Sequence, residues 1–222
     1  VDSPVLRTGT GGAVWFTSLK DDAVGGDTNG DGAASSPARG DWYAVFLNGG
    51  TRGELTNTSL AYGGSGASAN LWTYTGTATS LVWNGGGAFN SVNDGARVVA
   101  TTISLSNIEA SGNAIDGLEL YPTIPATIDQ ILANNNGGFG IRIMQNPGSL
   151  PGTLSGSGNG TNGISVAGTI GGAQPDQKWA WGANPTFPYV PEGALTCNGL
   201  DTLEIAAGAI VNLTIAPWAA AA

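Results

Sequence analysis

Gly117-Leu118-Glu119-Leu120, Gly140-Ile141-Arg142-Ile143 and Gly163-Ile164-Ser165-Val166 decide the fold, because each copy follows the last by 23 residues. Ile108, Ile131 and Leu154 keep the same step, as do Asn113, Asn136 and Asn159. A period in the twenties, carrying short alternating apolar pairs, belongs to a solenoid of stacked β-coils rather than to helices. Strand side chains alternate with period two, so both apolar members of each pair point inward and the residue between them points out. The expected fold is all-β, a right-handed parallel β-helix of about eight coils when the length, less an inserted polar loop, is divided by the repeat.

The coils are regular from Ile103 to Ile170 and less so on either side. Residues 1–20 hold one apolar strand, Ala13-Val14-Trp15-Phe16. Residues 21–41 read as a polar inserted loop with no core pattern, and the repeat resumes at Trp42. Short strands are expected near Leu55, Leu60, Leu71, Leu81 and Arg97, separated by glycine-rich turns. Residues 173–193, with two Trp and four Pro and no period, read as a crossing loop. Residues 194–218 return to β-coils through Leu203-Glu204-Ile205 and Val211-Asn212-Leu213-Thr214-Ile215. The whole of 1–222 is then one β-helix domain.

Charged residues are only 10% of the chain and 37 of its 222 residues are glycine, so the exposed faces are mostly hydroxyl and amide. With 7 Lys+Arg against 16 Asp+Glu, the net charge of −9 repels phosphate backbones and argues against nucleic acid. A hard cation such as calcium is the better-matched partner. No apolar run approaches the ~18 residues of a membrane span, so no membrane insertion is expected. Cys197 is the single cysteine, which excludes an intrachain disulfide and reads as a small buried hydrophobe. The abrupt opening Val1-Asp2-Ser3-Pro4 reads as a mature or excised segment.

Two segments carry a family likeness. Phe16-Thr17-Ser18-Leu19-Lys20-Asp21-Asp22-Ala23-Val24-Gly25-Gly26-Asp27-Thr28-Asn29-Gly30-Asp31-Gly32, continued to Gly40-Asp41-Trp42, is one. The other runs from Tyr189-Val190-Pro191 through Leu203-Glu204-Ile205 to Leu213-Thr214-Ile215-Ala216-Pro217. Both resemble segments of bacterial secreted and cell-surface proteins built from right-handed parallel β-helix repeats of the pectate-lyase-like superfold. The resemblance implies an extracellular or cell-surface location. In the resembling proteins the second kind of segment precedes the first, whereas here it comes last. The end of the chain therefore looks like the natural predecessor of its own beginning.

Asp27-Thr28-Asn29-Gly30-Asp31-Gly32 matches the first half of a calcium loop, whose oxygen ligands at alternate positions converge on one ion. The glutamate expected at the twelfth position is missing, since residue 38 is alanine. Asp21, Asp22 or Asp41 is expected to substitute for it through space; the alternative is a solvated turn without an ion.

The absence of histidine removes every Ser-His, Cys-His and metal-imidazole scheme. The expected chain is not an enzyme. The competing possibility is a polysaccharide-active site built on Asp116, Glu119 and Asp129, with Glu119 and Arg142 expected to stack as a pair on neighbouring coils. Trp15, Trp42 and Trp83 are expected in the core. Trp179 and Trp181 share one side, and either cover a pole, join an interface, or form a platform for carbohydrate in an adhesin module. Asn113, Asn136 and Asn159 either stack as an inward amide ladder or occupy left-handed turn positions, where Asn is tolerated.

A β-helix with open ends exposes unpaired N–H and C=O groups that need cover. No amphipathic capping helix is evident, so the expected cover is a second copy, joined head to tail into a filament. The expected junction comprises Val14 and Phe16 at one pole and Leu203, Ile205, Leu213 and Ile215 at the other, sealed by Trp179, Trp181 and Trp218. The expected function is an extracellular structural protein.

Overall fold

The computed structural model describes residues 3–9, 11–73, 76–167, 169–170, 178–192, 195–197 and 201–213. The first passage around the axis is β1 (Val5–Thr8), β2 (Val14–Phe16) and β3 (Val45–Phe46). Next come β4 (Arg52–Ala61), β5 (Ala69–Trp72), β6 (Ala78–Phe89) and β7 (Asp94–Ser111). The regular coils hold β8 (Leu118–Pro122), β9 (Thr127–Asn134), β10 (Phe139–Ile143), β11 (Ser155–Ser157), β12 (Thr161–Val166) and β13 (Thr169–Ile170). The last strands are β14 (Lys178–Trp181), β15 (Tyr189–Pro191), β16 (Thr196–Cys197) and β17 (Thr202–Ile205).

All strand pairs among the described residues are parallel and none of those residues is helical, which makes the chain a parallel β-solenoid of about six turns. That is fewer than the eight expected from length, because some passages are longer than 23 residues: Arg52 pairs with Ser80, and Leu150 with Trp181. Three faces run along the axis. The first carries β1, the opening halves of β4 and β6, the middle of β7, the start of β9, Leu150, β14 and β17. The second carries β2, the closing halves of β4, β6, β7 and β9, and β11. The third runs through β3, β5, the start of β7, β8, β10, β12 and β15 to a single bridge at Val211.

Register keeps like over like. On the third face Val45, Leu71, Ala96, Leu118, Ile141, Ile164, Tyr189 and Val211 form one inward column. Leu71, Ala96, Leu118, Ile141, Ile164 and Tyr189 are all buried. Each such aliphatic side chain contributes about 1.5–3 kcal/mol of burial. Long strands turn corners where the backbone enters the left-handed region, at Asn57, Asn107 and Gln130, positions that Asn and Gly hold at low cost.

The segment expected to be a crossing loop is instead a coil of the solenoid, as far as residues 178–192 describe it. β14 supplies the first face and β15 the third. Its period is hidden because the inward positions are filled by Trp179, Trp181 and Tyr189 in place of Leu and Ile. The rings of Trp181 and Tyr189 stack with centroids 4.8 Å apart, and the Trp181 indole N–H donates to the Gly148 carbonyl.

Candidate functional site

The two poles differ from the rest of the rod. Apolar side chains packed against the core but left partly exposed are Leu6, Phe16, Trp42 and Val45 at one end, and Leu195, Leu203, Ala209 and Val211 at the other. Val14 is half-buried, while Ile205 is 44% and Leu213 76% exposed. Among the described residues β1, β2 and β3 have one strand neighbour each, and β17 has β14 alone. Among those residues both poles therefore present unpaired edges of the same parallel stack. Ile215 and Trp218 lie outside the described residues, as does the side chain of Cys197. Trp179 and Trp181 are buried within one subunit, so they lie inside the last coils and neither form a sugar platform nor stand on the exposed pole. Reasoning from sequence missed Leu6, because Val5-Leu6-Arg7-Thr8 offers only one inward apolar residue. It also placed Trp15 inside, whereas Trp15 is 44% exposed and stacks on Phe89.

The insertion between β2 and β3 is built entirely of turns. Its base is tied down by Asp41, which accepts from Ser18 Oγ at 2.6 Å, Lys20 Nζ at 2.7 Å and the Ala38 N–H at 2.9 Å. Burial alone would raise the Asp41 carboxyl, but these bonds outweigh it and hold the group below its ordinary value. Asp21 is also committed, accepting from Thr17 Oγ1 at 2.6 Å. Neither therefore joins the calcium-loop motif.

Asp22 does join it. Asp22, Asp27 and Asp31 each offer a carboxylate oxygen within 4.8 Å of the others. The Asp27 carboxylate accepts the N–H groups of Asp31 and Gly32 at 3.0 and 2.8 Å, which folds the loop around it. Asn29 belongs to the turn: its Oδ1 accepts the Asp31 N–H and its amide donates to Asp31 and Ser35. Hydrogen bonding from Ser35, first among several donors, keeps Asp31 below its ordinary value. Asp22 is shifted the other way, first by loss of water and then by the charges of Asp27, Asp31 and Asp21. Its Oδ1 is buried and has no hydrogen-bond partner. Three oxygens of this kind suit a hard cation, which prefers oxygen donors and would relieve the repulsion.

A charged patch covers the outer side of the third face, where Arg97, Glu119, Arg142 and Ser165 form one outward column. Glu119 and Arg142 stand opposite each other in register, yet they are not ion-paired. Arg97 Nε lies 2.8 Å from Glu119 Oε2, although no directed hydrogen bond reaches that oxygen. Arg142 instead forks onto Glu192 at 2.8 and 3.0 Å and reaches Asp116 at 3.3 Å. The planar guanidinium favours this two-toothed contact over a single outward neighbour. Asp129 is elsewhere, on the first face, where it accepts from Thr153. The three acids considered for polysaccharide chemistry thus do not form one group.

Asp94, whose place before Gly95 reads in the sequence as turn chemistry, stands directly before Asp116 in a carboxylate column. Its Oδ1 accepts the Asp116 N–H at 2.9 Å, and Asp116 Oδ1 accepts the Phe139 N–H at 2.6 Å. Burial first, then the charges of Glu119 and Asp116, push the Asp94 carboxyl up to about 7.

Asn113, Asn136 and Asn159 stack. The Asn113 N–H and side-chain amide both donate to Asn136 Oδ1, at 3.0 and 2.9 Å, and Asn136 repeats this on Asn159 Oδ1 at the same distances. Each amide also donates to a carbonyl three residues before the previous rung: Ala88, Ala110 and Ala133. Ser91 joins at one end through its N–H, and Asn162 accepts at the other. The left-handed turn positions belong to the preceding residues, Gly112, Asn135 and Gly158.

The fold defines the class: among the described residues, an all-parallel β-solenoid of about six turns. No protein-family model matches the chain, and neither a curated protein nor a solved structure matches it.

Proposed function

We propose that the protein is an extracellular structural subunit of bacterial surface type, which polymerises by stacking its C-terminal pole on the N-terminal pole of the next copy. The observation that carries this is the partition of half-covered apolar residues, with Leu6, Phe16, Trp42 and Val45 at one pole and Leu195, Leu203, Ala209 and Val211 at the other. Among the described residues no further strand continues the stack over them. A second copy in the same orientation would continue parallel pairing and bury both end cores. Such a contact is heterologous and propagates unless its rotation closes a ring. Calcium held by Asp22, Asp27 and Asp31 would stiffen the insertion beside the N-terminal pole. The acids of the third face serve the stack rather than a reaction, since each carboxylate is committed to a backbone N–H or an arginine.

Electron microscopy and sedimentation of the purified chain test the proposal. Fibres, growing with protein concentration, are expected, and truncation before Thr202 is expected to leave monomers. A full-length chain that stays monomeric at high concentration with calcium present would show the proposal to be wrong.

A further inference from the structure

The first face carries three columns from pole to pole. One inward column is Thr8, Leu55, Trp83, Leu105 and Ile128, continued by Leu150, Trp181 and Ile205. The step from Ile128 to Leu150 follows from Gly148, which lies so close to Ala126 that a β-carbon there would sit 3.0 Å from the Ala126 carbonyl oxygen. The second inward column accordingly runs from Leu6 through Gly53, Leu81 and Ile103 to Trp179 and Leu203. Between them lies an outward column that begins at Arg7 and Glu54 and ends at Ala180 and Glu204.

We infer that the junction has one register, in which Glu204 of one subunit pairs with Arg7 of the next while Leu203 meets Leu6 and Ile205 meets Thr8. The inference rests on the head-to-tail reading above and adds the partner residues. A slip of one residue would turn Leu203 outward against Arg7, which period-two alternation forbids. A slip of two would place Leu203 or Ile205 beyond the column that the other strands continue. Charge agrees with register. Arg7 and Arg52 share the single carboxylate of Glu54, at 2.7 Å each, which leaves one positive charge in excess on that edge. Glu204 is exposed and takes part in no ion pair among the described residues. Lys178 stands opposite Thr202 on the same outward side but makes no ion pair with Glu204 among the described residues, and the sequence beyond Lys178 contains no further Lys or Arg. Steering by such rim charges sets register and partner choice more than it sets affinity.

Charge reversal tests the inference on the full chain. Glu204→Arg alone should raise the concentration needed for fibres by about tenfold or more, because like charges then face each other at every junction. Arg7→Glu alone should do the same, and ~1 M salt should narrow both differences by screening. The double variant should polymerise again, and so should an equimolar mixture of the two single variants, which also shows that each one folds. Single variants that polymerise as readily as the parent, or a double variant no better than either, would overturn this register and leave the filament intact. A parent chain that never polymerises would remove the filament reading and the register with it.

Discussion

Single residues hold this solenoid together through doubly used oxygens. Asn136 and Asn159 each give one Oδ1 to both the backbone N–H and the side-chain amide of the rung before. Asn136→Ala would leave the Asn113 N–H and amide short of an acceptor in a buried corner, and would remove the amide donor from the Ala110 carbonyl. Unsatisfied buried groups of this sort cost about 1–3 kcal/mol each. A loss of about 3 kcal/mol in denaturant unfolding is expected, against well under 1 kcal/mol for Ser36→Ala at an exposed position.

Asp94 makes a pH dependence at the same scale. Its ordinary value is 3.8 and burial lifts the folded-state value to about 7, with Asp116 and Glu119 adding to the lift and Arg97 opposing it. Between those values the folded chain keeps a proton that the unfolded chain has lost. Its contribution therefore declines as pH rises from about 4 to about 7, and is flat above that. Asp94→Asn keeps an oxygen for the Asp116 N–H and carries no charge. It is expected to be more stable than the parent at pH 8, by on the order of 2 kcal/mol, with no gain at pH 4. Equal effects at both pH values would show that Asp94 is not protonated in the native state.

Elements divide into those that repeat and the one that does not. The coils share columns, so each strand is specified by its neighbours above and below as well as by its own pattern. The insertion has no such neighbours and leans on Asp41, Lys20 and Ser18 at its base and on Asp27 within. If calcium occupies the Asp22, Asp27 and Asp31 oxygens, its addition should raise the thermal midpoint, chelator should reverse the gain, and Asp22→Asn should abolish it. Asp21→Asn should retain a calcium response, because that carboxylate is turned toward Thr17. A midpoint indifferent to calcium in the parent would mean that the loop is a turn and no more.

At the scale of the whole molecule the rod has a direction, and its ends are made of the same material as its middle. The raw edges of β1 and β17 are the kind that isolated proteins cover. In the proposed filament the group that covers them is another copy of the chain.

The 23-residue period and the alternation within it were enough to determine the parallel solenoid, since inward aliphatic pairs at that spacing bury themselves only by stacking. The calcium-loop spacing likewise marked Asp27 and Asp31. What the sequence obscured has physical causes. Trp179, Trp181 and Tyr189 hold a coil in a stretch without visible period, because bulky rings replace aliphatic residues only where the core has room for them. The stack of Asn113, Asn136 and Asn159 was distinguishable from a row of turn residues only by which neighbour bends left-handed. Ion partners were undecidable in advance: Arg142 turns to Glu192, which lies 50 residues away, and Asp22 rather than Asp21 faces the loop. Only the tertiary structure brings Arg7 and Glu204 to opposite ends of one column, because a column is a relation between coils and no single coil contains it.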